Sequence, residues 1–88
     1  MELRAGDREP GTEKFLWRVN QAIRFAQEHL EKLNSEESLR YAQTTCHVNK
    51  PEDYSEFEVC FIGSTCQHYV EVRVYGDMKS QVKNVISV

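Results

Sequence analysis

Cysteine and histidine occur close together at two places in the chain, as Cys46-His47 and as Cys66-x-His68. Thiols and imidazoles are ligands that zinc prefers, so these four residues are the first candidates for a metal site. Adjacent residues on a strand point to opposite faces, so Cys46 and His47 cannot both reach one ion without a bulge. Structural zinc ligands are also separated by two or more residues. The spacing therefore predicts an ordinary strand and loop, with no metal site and no cofactor.

A cysteine nucleophile needs a neighbouring base and a third group that orients the base. Cys66 and His68 are close in sequence, but both are predicted at the end of a hairpin, where we expect no pocket. Cys60 is predicted on the solvated face of its strand, beside Glu56 and Glu58, whose negative charge disfavours the reactive thiolate. Because no set of acid, base and nucleophile can be assembled, the sequence predicts no catalytic residues and no enzyme.

The 88 residues contain 11 Lys and Arg against 14 Asp and Glu, which gives a formal net charge of −3. A weakly acidic chain of one-domain length lacks the basic surface that nucleic acid binding requires. The acidic pairs Glu36-Glu37 and Glu52-Asp53 are interpreted as solvated loop charges. No apolar run approaches the roughly 20 residues that cross a bilayer, and the charged start of the chain is not a signal peptide. With three cysteines, this pattern predicts reduced thiols, a cytoplasmic location and no membrane partner.

Aromatic side chains on polar faces are the candidate partner-binding residues. Trp17 lies roughly opposite the apolar stripe of the predicted helix, and tryptophan in such a position is typical of interfaces. The alternative is intramolecular cover, by the N-terminal segment or by packing beside Leu16. Tyr69 and Tyr75 lie on the outward face of the last predicted hairpin, where tyrosine offers a large contact area at low entropic cost. The alternative there is an ordinary solvated sheet face.

A long amphipathic helix is the clearest element in the sequence. Between residues 15 and 33 the apolar side chains fall in one arc about 120° wide. Thr12 is predicted to cap the start of this helix, and Asn34 is predicted to end it. The first eleven residues contain two glycines, one proline and five charges. This composition predicts that residues 1–11 form a flexible leader and that residues 12–88 form a single domain.

The hydrophobic period changes from 3.6 to 2 after the helix. Residues 54–62 and 68–75 each alternate apolar and polar side chains, which is typical of half-buried strands. The short connection between them predicts an antiparallel hairpin. Residues 39–48 predict a further strand with a bulge, and residues 82–88 predict a last strand whose alternation is less clean.

Two registers of the predicted hairpin keep its apolar rows on one face. One register places Glu58 opposite Glu71, and the other places Glu58 opposite Arg73. Opposite charges facing each other across a strand pair stabilise it, and like charges destabilise it. We therefore expect the second register.

The order of elements predicts an α+β fold, in which one N-terminal helix packs across a three- or four-stranded antiparallel meander sheet. The inward rows of valine and phenylalanine supply the surface on which the helix buries its apolar face. Both edges of such a sheet carry unpaired backbone groups, which predicts pairing with a second copy as a homodimer or a swapped dimer. The turn at Asn49, Lys50 and Pro51 is the expected hinge of a swap.

This arrangement resembles the cystatin family, in particular its short members without a signal sequence, the stefins. Residues 39–43 (LRYAQ) resemble the strand that follows the family's helix. Residues 54–59 (YSEFEV) resemble its aromatic-rich second strand, and residues 68–75 (HYVEVRVY) resemble the strand with outward, partner-side charges. The resemblance covers residues 12–80 and implies a single helix crossed by an antiparallel meander.

Inhibitory cystatins plug the cleft of papain-like cysteine peptidases with an N-terminal glycine, a Gln-x-Val-x-Gly hairpin loop and often a Pro-Trp second loop. Gly6 or Gly11 matches the first of these elements. Residues 46–53 (CHVNKPED) lack the glycine of the first loop, and they add charges that are costly to desolvate in a cleft. Residues 76–80 contain no Pro-Trp.

The resemblance therefore implies the cystatin fold without its inhibitory loop. We expect a non-catalytic protein-binding module that contacts another protein, with a second copy of the chain among the possible partners. The alternative is a cysteine-peptidase inhibitor with an altered first hairpin loop. The candidate partner-binding residues are Trp17, Asn49, Lys50, Pro51, Tyr69 and Tyr75.

Overall fold

The computed structural model describes residues 12–33 and 36–88, so the leader predicted over residues 1–11 lies outside the described part of the chain. The described elements are one helix and four strands. They are α1 (Thr12–Leu33), β1 (Arg40–Asn49), β2 (Tyr54–Ile62), β3 (Gln67–Tyr75) and β4 (Ser80–Ser87). No helix in these two ranges is long and apolar enough to span a membrane.

The helix α1 buries the apolar stripe that its sequence predicts. The buried apolar residues of the stripe are Val19, Ala22, Ala26 and Leu30. Glu13 in the first turn and Lys32 in the last turn complement the helix dipole. The helix starts at Thr12, so this residue belongs to the first turn and does not precede it as predicted. The predicted end at Asn34 lies outside the described residues.

The four strands form one antiparallel meander in the order β1-β2-β3-β4. The central strands β2 and β3 alternate as predicted, because one row of side chains on each strand is buried under the helix. These buried rows are Ser55, Phe57, Val59 and Phe61 on β2, and Val70, Val72 and Val74 on β3. The helix packs against β2, β3 and β4, which confirms the predicted α+β architecture.

The β2–β3 hairpin does not adopt the expected register, so that prediction is wrong. Glu58 lies opposite Glu71, and Arg73 lies opposite Glu56. A favourable charge pair thus forms in this register too, two inter-strand pairs away from Glu58–Glu71. Residues 63–66 connect the two strands. Two opposed glutamates cost about 0.2–1 kcal/mol, a penalty that the Glu56–Arg73 pair and a tight loop can offset.

Bulges explain the irregular alternation of the outer strands. The pairing of β1 with β2 shifts at Ala42 and again at His47, which confirms the predicted bulge in the first strand. The pairing of β4 with β3 shifts at Lys83. Because this bulge inserts one residue, Val82 and Val85 both reach the core although they are three residues apart.

The edge strand β1 extends beyond the cover of the helix. All of its residues are exposed or half-buried. Tyr41 lies opposite Phe61, with ring centroids 6.0 Å apart, yet 45% of Tyr41 is exposed. The core therefore lies between α1 and the strands β2 to β4.

Candidate functional site

Two hairpin loops lie side by side at one end of the sheet. The β1–β2 loop consists of residues 50–53, and the β3–β4 loop consists of residues 76–79. The backbone N–H of Gly76 donates to the carbonyl of Asp53 at 3.0 Å, which joins the two loops. We call these two loops together the loop end.

Arg18 fixes the first of these loops to the helix. Arg18 is buried, with a relative exposure of 3%. Its Nη1 donates to the carbonyl of Lys50 at 3.1 Å and to Oγ of Ser55 at 2.9 Å, and its Nη2 donates to the carbonyl of Pro51 at 2.8 Å. Ser55 in turn donates to Oδ1 of Asn49 at 2.8 Å. Charge-assisted hydrogen bonds from one buried guanidinium therefore position the loop relative to α1.

Arg18 is not among the functional residues that the sequence predicts, although the sequence contains one signal for it. Arg18 lies one helical turn before the buried Ala22, at the border of the apolar stripe. A long charged side chain at such a border either extends to solvent or is buried with its donors satisfied. The hydrogen-bond acceptors that allow Arg18 to be buried lie at Lys50 and beyond, at least 32 residues away in sequence, so the sequence alone does not decide between these outcomes.

Tyr54, Arg73 and Tyr75 stack on the outward face of the sheet next to the loop end. Cζ of Arg73 lies 4.4 Å from the ring centroid of Tyr54 and 5.9 Å from that of Tyr75. The two tyrosine rings lie 6.1 Å apart in an edge-on arrangement, and Nζ of Lys50 lies 4.9 Å from the Tyr54 ring. Cation–π contacts of this kind stabilise the stack. Tyr75 is therefore half-buried in a cluster and is not a freely exposed side chain.

Glu56 carries the negative charge of this cluster. Its Oε2 accepts hydrogen bonds from Nε of Arg73 at 2.7 Å and from Nζ of Lys83 at 3.2 Å, and it lies 2.6 Å from Nη2 of Arg73. These interactions, led by the Arg73 hydrogen bond, hold the pKa of the Glu56 carboxyl below its ordinary value. Hydrogen bonds to Tyr75 and Glu56 raise the pKa of the Arg73 guanidinium further above its ordinary value.

Replacing Glu56 with glutamine is expected to lower the free energy of unfolding by about 1 kcal/mol at neutral pH. Because folding lowers the pKa of this carboxyl, its ionised form stabilises the protein above the ordinary value of 4.5. That stabilisation is lost as the pH falls through the lowered pKa of the folded state. Urea unfolding of both proteins from neutral to strongly acidic pH measures the difference, which should vanish in acid.

The matched control for this measurement is Glu58→Gln, because Glu58 lies on the same strand face but opposite Glu71. We expect this variant to be as stable as the wild type or slightly more stable, since it removes a like-charge pair. A loss from Glu58→Gln equal to that from Glu56→Gln would contradict the assigned role of Glu56.

The structure brings most of the predicted partner-binding residues to the loop end. They are Asn49, Lys50, Pro51 and Tyr75. Trp17 lies on the helical turn that carries Arg18, and 59% of it is exposed. The described residues therefore leave this tryptophan largely uncovered, while cover by residues 1–11 lies outside the described part of the chain.

Tyr69 lies apart from the loop end, towards the other end of the outward face. It is opposite Cys60 on β2 and Ile86 on β4, and its hydroxyl donates to Oε1 of Gln67 at 2.7 Å. The pKa of the Tyr69 hydroxyl is raised, chiefly by the neighbouring Cys60. Cys60 itself is buried, so its predicted place on a solvated face is wrong. The large Tyr69 side chain directly opposite accounts for this burial.

Cys46 and His47 face different neighbours. Cys46 lies opposite Phe57, whereas Nε2 of the bulged His47 lies 3.9 Å from Oε1 of Glu58. Sγ of Cys46 donates to the carbonyl of Val48 at 3.4 Å, and partial burial raises the pKa of this thiol. The two side chains of this pair do not converge on one point.

Glu37 is not a solvated loop charge, so that interpretation is wrong for this residue. Its side chain is 7% exposed, and its Oε1 lies 3.0 Å from Nε2 of His68. Sγ of Cys66 lies 3.6 Å from the same nitrogen. A carboxylate, a thiol and an imidazole thus meet at the end of the sheet opposite the loop end. These three are the residues in the described chain that could hold a metal ion.

The resemblance to cystatins rests on the order of elements and the pattern of the strands, and it stays a prediction. No family model matches this chain, and neither a curated protein nor a solved structure matches it.

Proposed function

We propose that this chain is a non-catalytic protein-binding module whose contact surface is Trp17 together with the first hairpin loop. The observation that carries the proposal is the 59% exposure of Trp17 beside Arg18, the residue that fixes the loop. Tryptophan is enriched among the residues that dominate binding energies at protein interfaces. A large exposed aromatic side chain on the helical turn that fixes an exposed loop therefore supports this function.

Preorganisation of the loop supports the same proposal. Besides the donors of Arg18, the backbone N–H of Asp53 donates to the carbonyl of Lys50 at 2.8 Å within the loop. A loop that is already ordered loses little conformational entropy when a partner binds. Lys50, Glu52 and Asp53 give it mixed charge, so we expect the partner to offer an apolar pocket for Trp17 with a polar rim.

Trp17→Ala is expected to weaken partner binding by about 2 kcal/mol, or about 30-fold, because truncating a buried interface tryptophan is costly. The free energy of unfolding should change by less than about 0.5 kcal/mol, because the side chain is exposed in the free chain. The matched control is Leu33→Ala, since Leu33 is 65% exposed on the same helix but lies at its far end.

Two measurements check this prediction. Sedimentation velocity over a concentration series tests whether a second copy is the partner. Proteins crosslinked to the chain in cells are then purified and titrated against the wild type and both variants. We expect the wild type and Leu33→Ala to bind equally and Trp17→Ala to bind more weakly. Equal affinity of all three proteins, or a larger loss from Leu33→Ala, argues against the proposed surface.

The contact between the two hairpin loops favours a second candidate, a cysteine-peptidase inhibitor. The resemblance to cystatins implies that two such loops enter a peptidase cleft together, and the Gly76–Asp53 hydrogen bond of 3.0 Å holds them side by side. The charges on the first loop oppose this function, because each must be desolvated in the cleft. Sub-micromolar inhibition of a papain-like enzyme that deletion of residues 1–11 abolishes supports the inhibitor. No inhibition at high micromolar concentration excludes it.

A further inference from the structure

Glu37, Cys66 and His68 offer three metal-ligating atoms that all lie within 4.8 Å of one another. They come from the segment before β1, from the β2–β3 loop and from β3. We propose that these three side chains bind one Zn²⁺ ion and leave a fourth coordination position for water or an external ligand. The site lies at the end of the sheet opposite the loop end, and it does not depend on the function proposed above.

Two of the three distances between the ligand atoms lie close to those of tetrahedral zinc. Zinc bonds of about 2.1 Å to nitrogen or oxygen and about 2.3 Å to sulfur place tetrahedral N and S ligands about 3.6 Å apart, and N and O ligands about 3.4 Å apart. Nε2 of His68 lies 3.6 Å from Sγ of Cys66 and 3.0 Å from Oε1 of Glu37. The carboxylate oxygen has to move about 0.4 Å away from Nε2 to reach the tetrahedral separation.

Outer hydrogen bonds already orient two of the three ligands. Nδ1 of His68 lies 2.7 Å from Oγ of Ser87, and the backbone N–H of Ser64 donates to Oε2 of Glu37 at 3.0 Å. When Nε2 binds a metal, Nδ1 carries the ring proton and donates it to Ser87. A metal-binding histidine usually donates its other N–H in this way, and ligating carboxylates are usually hydrogen-bonded as well.

Burial and charge favour a divalent cation at this place. The side chains of His68 and Glu37 are 12% and 7% exposed, and Cys66 is half-buried. When these side chains bind the ion as a thiolate, a carboxylate and a neutral imidazole, they carry two negative charges together, which one Zn²⁺ neutralises. Thiolate and imidazole ligands also favour zinc over magnesium or calcium, which prefer oxygen ligands.

The same geometry argues against a catalytic relay. In a nucleophile–base–acid triad the nucleophile and the carboxylate contact different nitrogens of the histidine ring. Here Cys66 and Glu37 both contact Nε2 of His68, and Nδ1 contacts Ser87. Sγ of Cys66 and Oε1 of Glu37 thus approach the same ring nitrogen of His68. Ligand atoms around one metal ion converge in this way.

Gly63 makes room for the carboxylate of this cluster. A Cβ atom at position 63 would lie 1.8 Å from Oε2 of Glu37, so an alanine there must displace that side chain. Gly63→Ala therefore moves Glu37 away from His68 while every ligand residue stays in the sequence. The cluster cannot be predicted from the sequence, because Glu37 lies 31 residues before His68 and reaches it only through the fold.

The test is a Zn²⁺ titration of the full chain after treatment with a chelator, with affinity measured by competition against a chromophoric chelator. We expect one Zn²⁺ per chain in the wild type and in Cys46→Ser, whose thiol lies in the other Cys-His pair. Cys66→Ser and His68→Gln should bind at least about 100-fold more weakly, and Ser87→Ala about 10–100-fold more weakly. Co²⁺ should give a sulfur-to-cobalt charge-transfer band that Cys66→Ser removes.

Gly63→Ala keeps the test decisive where a ligand variant fails to fold. We expect it to retain the wild-type circular dichroism spectrum and to bind Zn²⁺ at least about tenfold more weakly. Wild-type affinity in Cys66→Ser or in Gly63→Ala overturns the proposal. Equal losses in Cys46→Ser and Cys66→Ser, or no binding of micromolar Zn²⁺ by the wild type, overturn it as well.

Discussion

Replacing Arg18 with leucine is expected to lower the free energy of unfolding by about 3 kcal/mol. The substitution places an apolar side chain at this position and removes every donor, so the carbonyls of Lys50 and Pro51 and the hydroxyl of Ser55 lose the hydrogen bonds that the guanidinium donates. The Lys50 carbonyl keeps its bond from the N–H of Asp53, and Ser55 keeps its bond to Asn49. A hydrogen bond to a charged group contributes about 1.5–3 kcal/mol, and the two loop carbonyls can regain part of this from water. The loss is large against the roughly 5–10 kcal/mol that stabilises a domain of this size.

Urea unfolding followed by circular dichroism measures this loss. Arg24→Leu is the matched control, because Arg24 is exposed on the same helix, and we expect it to change stability by less than about 0.5 kcal/mol. Arg18→Lys should fall between the two, since an ammonium group cannot supply the forked donors of a guanidinium. Equal stability of Arg18→Leu and Arg24→Leu would contradict the role of Arg18 in fixing the loop.

The same substitution links stability to the proposed function. The N–H of Asp53 donates to the carbonyl of Lys50 inside the loop that Arg18 fixes. We expect this amide to exchange faster with solvent in Arg18→Leu, because the loop opens more often without its anchor. The affinity of Arg18→Leu for the partner should also be lower than that of the wild type, since a disordered loop must be ordered again on binding.

The sequence was sufficient to predict the elements and the faces that they bury. Apolar residues recur with a period of 3.6 in α1 and of 2 in β2 and β3, because one face of each element is buried. Each pattern can be recognised within its own segment, without knowledge of the rest of the fold. The last strand was harder to predict, because the bulge at Lys83 breaks the alternation between Val82 and Val85. Such a bulge changes which residues face the core without changing the β-branched composition of the strand.

Features that depend on distant contacts were not predictable in the same way. The predicted hairpin register is wrong because it depends only on the residue opposite Glu58, whereas the fold pairs Arg73 with Glu56. The burial of Glu37 depends on contacts with Ser64 and His68, both far away in sequence. Sequence spacing carries no information about such contacts until the chain path is known.

Phe57→Ala is expected to cost about 4 kcal/mol, the other large effect in this chain. Phe57 is 1% exposed on the helix side of β2, and its ring lies 5.7 Å from that of Phe15 on α1. The substitution removes the aromatic contact across the helix–sheet boundary and leaves a cavity that two rigid elements cannot close. Little stability would remain, so unfolding has to be measured at low temperature from zero urea.

Tyr41→Ala tests whether this cost reflects cover by the helix or merely loss of an aromatic ring. Tyr41 lies on the same side of the sheet and packs edge-on against Phe61, but it is 45% exposed because β1 extends beyond α1. Loss of this ring should therefore cost about 1 kcal/mol, since much of its surface is already in water. A cost for Tyr41→Ala as large as that for Phe57→Ala would mean that α1 or another segment covers β1 in solution. Unequal costs in the expected order place the core between α1 and the strands β2 to β4, with the edge strand outside it.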